Sequence, residues 1–206
     1  MAKPKLYGIA NSRAFRSVWA ADEIGLDFEH VQTSFQEDSK APDYLAINPN
    51  GRIPALVDGD LKLFESMAIN MYLARTYGPH LLPGDEGGIA QVWQWSIWGI
   101  SEIEPLQMAM VVQKFFTPAE KQDEKVVARS ARGLERPLQV LENQLAGQDY
   151  LLGAEFTLAD LNLAGVMDLL NMLQHDISAF SNVRAWLDRC YARESYAQAK
   201  SRGSAG

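Results

Sequence analysis

Over the first eighty positions, apolar residues fall in short runs broken by turn residues, and each run predicts one element. Lys5–Ile9 is a short, half-apolar run that predicts a strand. Arg13–Gly25 holds good helix formers and ends on a glycine, a common helix stop. Phe28–Thr33 predicts a second strand, and Pro42–Ile47 a short helical turn before Asn48-Pro49. Pro54–Val57 and Leu61–Phe64 flank Asp58-Gly59-Asp60. Asp-Gly between two extended runs predicts a hairpin. Glu65–Tyr77 places Ile69, Tyr72, Leu73 and Thr76 at helical spacing and stops at Gly78-Pro79. The predicted order is β-α-β-α-β-β-α.

Gly and Pro then cluster around residues 81–88, which predicts a linker between a domain over 1–80 and another over 89–206. The second is predicted all-α. Ile89–Lys114 and Ala119–Leu145 are long helical stretches, with Pro105 expected to kink or split the first. Leu158, Leu161, Gly165, Leu169 and Met172 step by three and four along a further helix, and Val183–Arg193 forms another. Thr157-Leu158-Ala159-Asp160 resembles a capping box, with Asp where Glu or Gln is usual.

Composition narrows the function classes. The 206 residues are 47% hydrophobic and 22% charged, ordinary for a globular protein. No apolar run approaches the roughly 18 residues of a membrane span, and MAKPKLYGIA lacks the apolar core of a signal peptide. Cys190 is the only cysteine, which fits a reducing, cytoplasmic location. His30, His80 and His175 show no ligand spacing, so no metal is expected. A net charge of -7 without a basic run argues against nucleic acid.

Three segments hold candidate chemistry. Pro54 opens an apolar strand, where proline removes a ladder donor. A cis Ile53–Pro54 bond would turn the amide and carbonyl of Ile53 outward, free to pair with an extended peptide ligand. A trans proline in a tight loop is the competing reading, and cis bonds are a small minority. Ser66 lies in the first turn of a helix with Glu65 before it. Free amides there bind a carboxylate, and Glu65 could pair with an ammonium group, although Ser and Glu also suit plain capping. Ala10-Asn11-Ser12-Arg13 joins the first strand to the first helix. A hydroxyl at this positive helix end could hydrogen-bond a thiolate and lower its pKa; Asn11 or Ser12 could equally cap the helix. No base is evident beside Ser12, so a Ser/His/Asp nucleophile is not read here.

Together and in this order, the segments resemble the cytosolic glutathione S-transferase family over nearly the whole chain. NPNGRIPAL (Asn48–Leu56) is similar to its cis-proline segment, LFESMAINMYLARTYG (Leu63–Gly78) to its Glu-Ser helix, and FTLADLNLA (Phe156–Ala164) to its helical-domain signature. The resemblance implies an α+β thioredoxin-like N-terminal domain followed by an all-α domain, and a homodimer. It implies glutathione as co-substrate rather than a bound cofactor. The Ile53 backbone, next to Pro54, would pair with the cysteinyl part. Glu65 and Ser66 would hold the γ-glutamyl group, and Lys40 and Arg52 the glycyl carboxylate; the position where some subfamilies carry a histidine matches Ser39.

In Tyr-type members a tyrosine ends the first strand, and that position falls here on Gly8. The hydroxyl of Ser-type members falls on Ser12, so the resemblance is to Ser-type members in a bacterial style, with Asn11 a competitor for the sulfur. No cysteine lies in the turn. The second substrate, a small hydrophobic electrophile, is expected against apolar side chains, with Ala10, Met108, Val111 and Phe115 as candidates. Two other readings stay open: a non-catalytic glutathione-fold binding protein, and a glutathione-dependent peroxidase or dehalogenase.

Overall fold

A computed structural model describes residues 3–202 of the chain, which divide into two compact units. The first holds the chain through Gly84 together with the segment from Tyr191 onward; the second is Asp85–Cys190.

In the first unit, β1 (Lys5–Tyr7), α1 (Ala14–Ile24), β2 (Glu29–Val31), α2 (Pro42–Leu45), β3 (Ala55–Asp58), β4 (Leu61–Phe64) and α3 (Ser66–Tyr77) follow the predicted order. The sheet runs β2-β1-β3-β4, with β1 parallel to β2 and antiparallel to β3, and β3 antiparallel to β4. Leu6 and Leu56, opposite each other on the two central strands, are buried. Helix α1 stops at Gly25, whose φ of 73° suits glycine, and α1 packs on α3.

The segment after Tyr191 departs from expectation. Sequence spacing extended the helical domain to 206, but α9 (Glu194–Ser201) packs on α1 in the first unit. Its periodicity is short; what holds it is specific. The Tyr196 ring meets Phe15 and Trp19 edge-on, at centroid distances of 5.4 Å and 5.1 Å. Trp19 Nε1 donates to the Ser195 hydroxyl at 3.0 Å. Arg193 pairs with Glu23, and Arg202 with Asp22 at 2.7 Å; both carboxylates are largely shielded from water.

The second unit comprises α4 (Glu86–Trp98), α5 (Glu104–Val111), α6 (Glu124–Gln144), α7 (Leu158–Leu173) and α8 (Ser181–Tyr191). Around Pro105 the predicted helix is split, though not by a simple kink. A π-helical segment over Gly99–Ile103 delivers the chain to α5, so Pro105 sits in a first turn where its missing N–H goes unneeded. A second π-segment follows at Val112–Phe116. Pro137 lies inside α6, where its ring interrupts the backbone ladder.

The capping box at the start of α7 is present with Asp in the third place. Asp160 is fully buried: one carboxylate oxygen accepts from Leu151 N–H (2.8 Å) and Trp186 Nε1 (2.9 Å), the other from the Thr157 amide (2.9 Å) and hydroxyl (3.0 Å). An amide in that place cannot accept on both sides. Asp160→Asn is therefore expected to lower the stability of the unit by about 2–4 kcal/mol, read as a shifted denaturation midpoint in Trp fluorescence. An unshifted midpoint contradicts this account. Arg193→Ala leaves the shielded Glu23 carboxylate with the Ser195 hydroxyl but without its counter-ion, and is expected to cost about 1–3 kcal/mol in the same assay.

Candidate functional site

Sheet register brings the candidate segments to one end of the first unit. Tyr7, the last residue of β1, pairs with Ala55, the first of β3, and Ala55 pairs with Phe64, the last of β4. The turn from Gly8 to Ser12, the Ile53–Pro54 bond and Glu65-Ser66 therefore leave the sheet side by side.

Gly8 forms the joint after β1, with φ at 140° and its N–H on the Val31 carbonyl at 3.1 Å. A Cβ there would lie 2.4 Å from that of Ala14 and 3.4 Å from that of Ile53. No side chain fits where Tyr-type relatives carry their tyrosine. Tyr7 instead packs edge-on against Tyr44, at 5.9 Å between centroids.

Beyond this joint, Arg13 stands at the N-cap of α1 without a side-chain bond, and Ser12, one residue earlier, takes up the first helical amide. Its hydroxyl accepts from Ala14 N–H at 3.1 Å and donates its proton to the Ile9 carbonyl at 2.6 Å. The cap uses the oxygen lone pair and leaves the proton to the Ile9 carbonyl, so a thiolate that takes the hydroxyl proton competes with Ile9 and not with the cap. Asn11 is exposed, and its side chain makes no hydrogen bond among the described residues.

The Ile53–Pro54 bond is cis. Among the described residues, nothing hydrogen-bonds the Ile53 amide or carbonyl. Side chains that the sequence reading missed hold the preceding loop. The Arg52 carbonyl accepts from the Tyr44 hydroxyl at 2.6 Å and from Asn48 Nδ2 at 2.7 Å. Burial pushes the Tyr44 pKa up to about 12, so the hydroxyl stays a donor at neutral pH. The signal was present in Asn48, a side-chain donor placed just ahead of the tight turn. At Gly51, φ is 57° and a Cβ would meet the Ser39 carbonyl at 3.0 Å. Lys40 Nζ donates to the Gly51 carbonyl, whereas the exposed Arg52 guanidinium has no partner among the described residues. Ser39, buried, donates to the Phe35 carbonyl at 3.0 Å.

Capping does not account for Glu65-Ser66. Glu65 stands at the N-cap with φ 72° and ψ 115°, yet makes no side-chain cap bond. Such a backbone costs a non-glycine residue about 1–3 kcal/mol and clusters at ligand sites. Ser66 is 6% exposed, and its hydroxyl has no partner among the described residues. The first-turn amides of α3 remain open beside it.

The second-substrate candidates do not form one group within a unit. Ala10 belongs to the first unit and is 3% exposed. Val111 belongs to the second and is equally buried in the chain. Met108 is half-buried, and Phe115 is exposed with the Lys114 ammonium 5.5 Å from its ring centroid. Among the described residues there is no cluster of three or more His, Cys, Asp or Glu able to hold a metal, and no helix long and apolar enough to cross a membrane.

Comparison with known proteins agrees with this fold. The family described as "Glutathione S-transferase, N-terminal domain" matches residues 2–75, and "Glutathione S-transferase, C-terminal domain" matches residues 106–194. Glutathione S-transferase 3 of Zea mays is 38% identical over 206 residues, covering 95% of this chain and 92% of the relative. A glutathione S-transferase of Hyoscyamus muticus is 35% identical, covering 95% and 96%. The solved structure of glutathione S-transferase-I bound with lactoylglutathione is similar at TM-score 0.88 and 34% identity, covering 97% of this chain and 99% of that one. A glutathione transferase of Burkholderia graminis, with two glutathione molecules bound per subunit, reaches 0.90 at 27% identity, covering 99% and 90%. The curated relatives named are plant proteins, so a bacterial style finds no support in them. The chain belongs to the glutathione S-transferase family.

Proposed function

We propose that the protein binds glutathione at the shared end of β1, β3 and β4 and activates its thiol from the Ser12 turn, in the manner of Ser-type members. Family membership makes it a glutathione transferase, and the attacked group is then a small hydrophobic electrophile. The observation behind this reading is the strained, uncapped Glu65 beside Ser66, in register with the open Ile53 backbone. Strain of that kind persists where a ligand uses it.

The γ-glutamyl carboxylate suits the open amides and Ser66 hydroxyl at the start of α3, with the Glu65 carboxylate for the ammonium group. The Ile53 amide and carbonyl offer the peptide pairing of a strand. Arg52 and Lys40 are the cations near the loop for the glycyl carboxylate. Of these, Arg52 is the freer, since Lys40 already holds Gly51. The apolar side chains of Met108 and Phe115 suit a hydrophobic electrophile. A homodimer and a cytoplasmic location fit the family.

Activation is a matter of a few kcal/mol. A free thiol titrates near 8.5, and lowering that by about two units takes roughly 2.7 kcal/mol of preference for the anion. A charge-assisted bond from Ser12 supplies about 1.5–3 kcal/mol and the α1 end about 0.3–1. Turning the hydroxyl away from Ile9 gives back about 0.5–1.5 kcal/mol. The balance centres on about 2 kcal/mol, or roughly one and a half units, which makes a large fraction thiolate at neutral pH.

Ser12→Ala is expected to lower conjugation of an aryl halide about tenfold or more and to raise the apparent thiol pKa. Glutathione binding should change little. Unchanged turnover in that variant would remove Ser12 from the mechanism and leave Asn11. Glu65→Gly separates strain from recognition: the melting temperature is expected to hold or rise, while KM for glutathione climbs about tenfold or more through loss of a charged contact. A variant with an unchanged KM shows that Glu65 does not touch glutathione.

A further inference from the structure

The Ser12 turn hangs from the Gly8 joint, and a glycine holds no conformation by itself. Two contacts fix it. Its amide donates to Val31, and its carbonyl oxygen lies 2.8 Å from His30 Nε2, across from β2. Because a carbonyl only accepts, the Nε2 must carry the proton. The other ring nitrogen, Nδ1, lies 3.3 Å from the Gln32 side-chain amide, which donates. One neutral tautomer, with the proton on Nε2, satisfies both neighbours. Burial lowers the His30 pKa; the hydrogen bond to Gly8 and the Asp22 charge oppose this and the Arg202 guanidinium adds to it, with the net shift toward the neutral ring.

The same Gln32 amide reaches the Arg202 carbonyl at 3.3 Å, and Arg202 pairs with Asp22 of α1. A continuous set of contacts therefore runs from the end of α9, through Gln32 and His30, to Gly8. Past Gly8 comes Ile9, whose carbonyl is the group that takes the Ser12 proton. The Gly8 carbonyl lies in the peptide plane that leads into Ile9, so a turn of that plane is passed to the Ile9 carbonyl through the φ and ψ of Ile9.

We infer that His30 is a positioning residue for thiol activation: by holding the Gly8 carbonyl it orients the Ile9–Ser12 turn, and with it the direction in which the Ser12 hydroxyl donates. This rests on the reading of Ser12 given above. His30 touches neither glutathione nor the electrophile in this account. Its effect belongs to the activation step and leaves recognition by Glu65, Ser66 and Ile53 alone.

The test is a double-mutant cycle on the full chain, with His30→Phe, His30→Gln and Ser12→Ala. The thiolate absorbance of bound glutathione is titrated against pH, and kcat and KM are measured with an aryl halide. His30→Phe removes the donor and is expected to raise the bound-thiol pKa and lower kcat roughly fivefold, the worth of one ordinary hydrogen bond, with KM for glutathione unchanged. His30→Gln keeps an N–H in nearly the same place and is expected to restore both values. In the Ser12→Ala background, His30→Phe is expected to add nothing. If Ser12→Ala slows turnover while His30→Phe leaves the thiol pKa alone, or acts equally in both backgrounds, the inference about His30 falls and the Ser12 reading stands. If Ser12→Ala is itself silent, both fall.

Discussion

A backbone polar group withdrawn from water must find a partner, and in the first unit that constraint decides what is left over for a ligand. The carbonyls that flank the open site are taken: Gly8 by His30, Arg52 by Tyr44 and Asn48, Gly51 by Lys40, Ile9 by Ser12. Between them stand groups with no internal partner among the described residues, namely the Ile53 amide and carbonyl, the Ser66 hydroxyl and the first amides of α3. Saturating the neighbours makes the remaining vacancies directional. An extended peptide with an anionic end fits that pattern of donors and acceptors better than a compact apolar molecule does.

Much of the frame was legible in the sequence because it rests on local signals. Asp58-Gly59 set the hairpin, Gly25 ended α1, and the shift of texture after Leu81 preceded a run without strands. Each of these is a choice made by a few adjacent residues. Less legible were features set by partners distant in the chain. Nothing periodic in Glu194–Ser201 announces that Tyr196 finds Phe15 and Trp19, or that Arg193 finds Glu23. The positive φ of Glu65 was likewise invisible, since a glutamate before a helix reads as ordinary capping.

At the site itself, residue identity could be read and proton ownership could not. The sequence offered Ser12 as either cap or donor, and in the fold the hydroxyl donates its proton to Ile9. On the proposed reading, that contact turns the hydroxyl from a free donor into one that must be exchanged, which is why the preference for the thiolate centres on about 2 kcal/mol instead of the full sum. The contact of His30 with Gly8 was hidden for a related reason. A lone histidine on a short edge strand carries no motif, and its role depends on a glycine twenty-two positions earlier.

The arrangement of α9 also bears on how the chain is made. The unit that presents the Ser12 turn is discontinuous: α1 emerges early from the ribosome, while its cover is translated only after all of Asp85–Cys190. Through that interval Phe15, Trp19 and the carboxylates of Asp22 and Glu23 lack the rings and cations that later shield them. Domains usually fold in the order of synthesis. Here the first to begin is the last to finish, so the helical unit can be complete while the sheet-bearing one still lacks its closing helix.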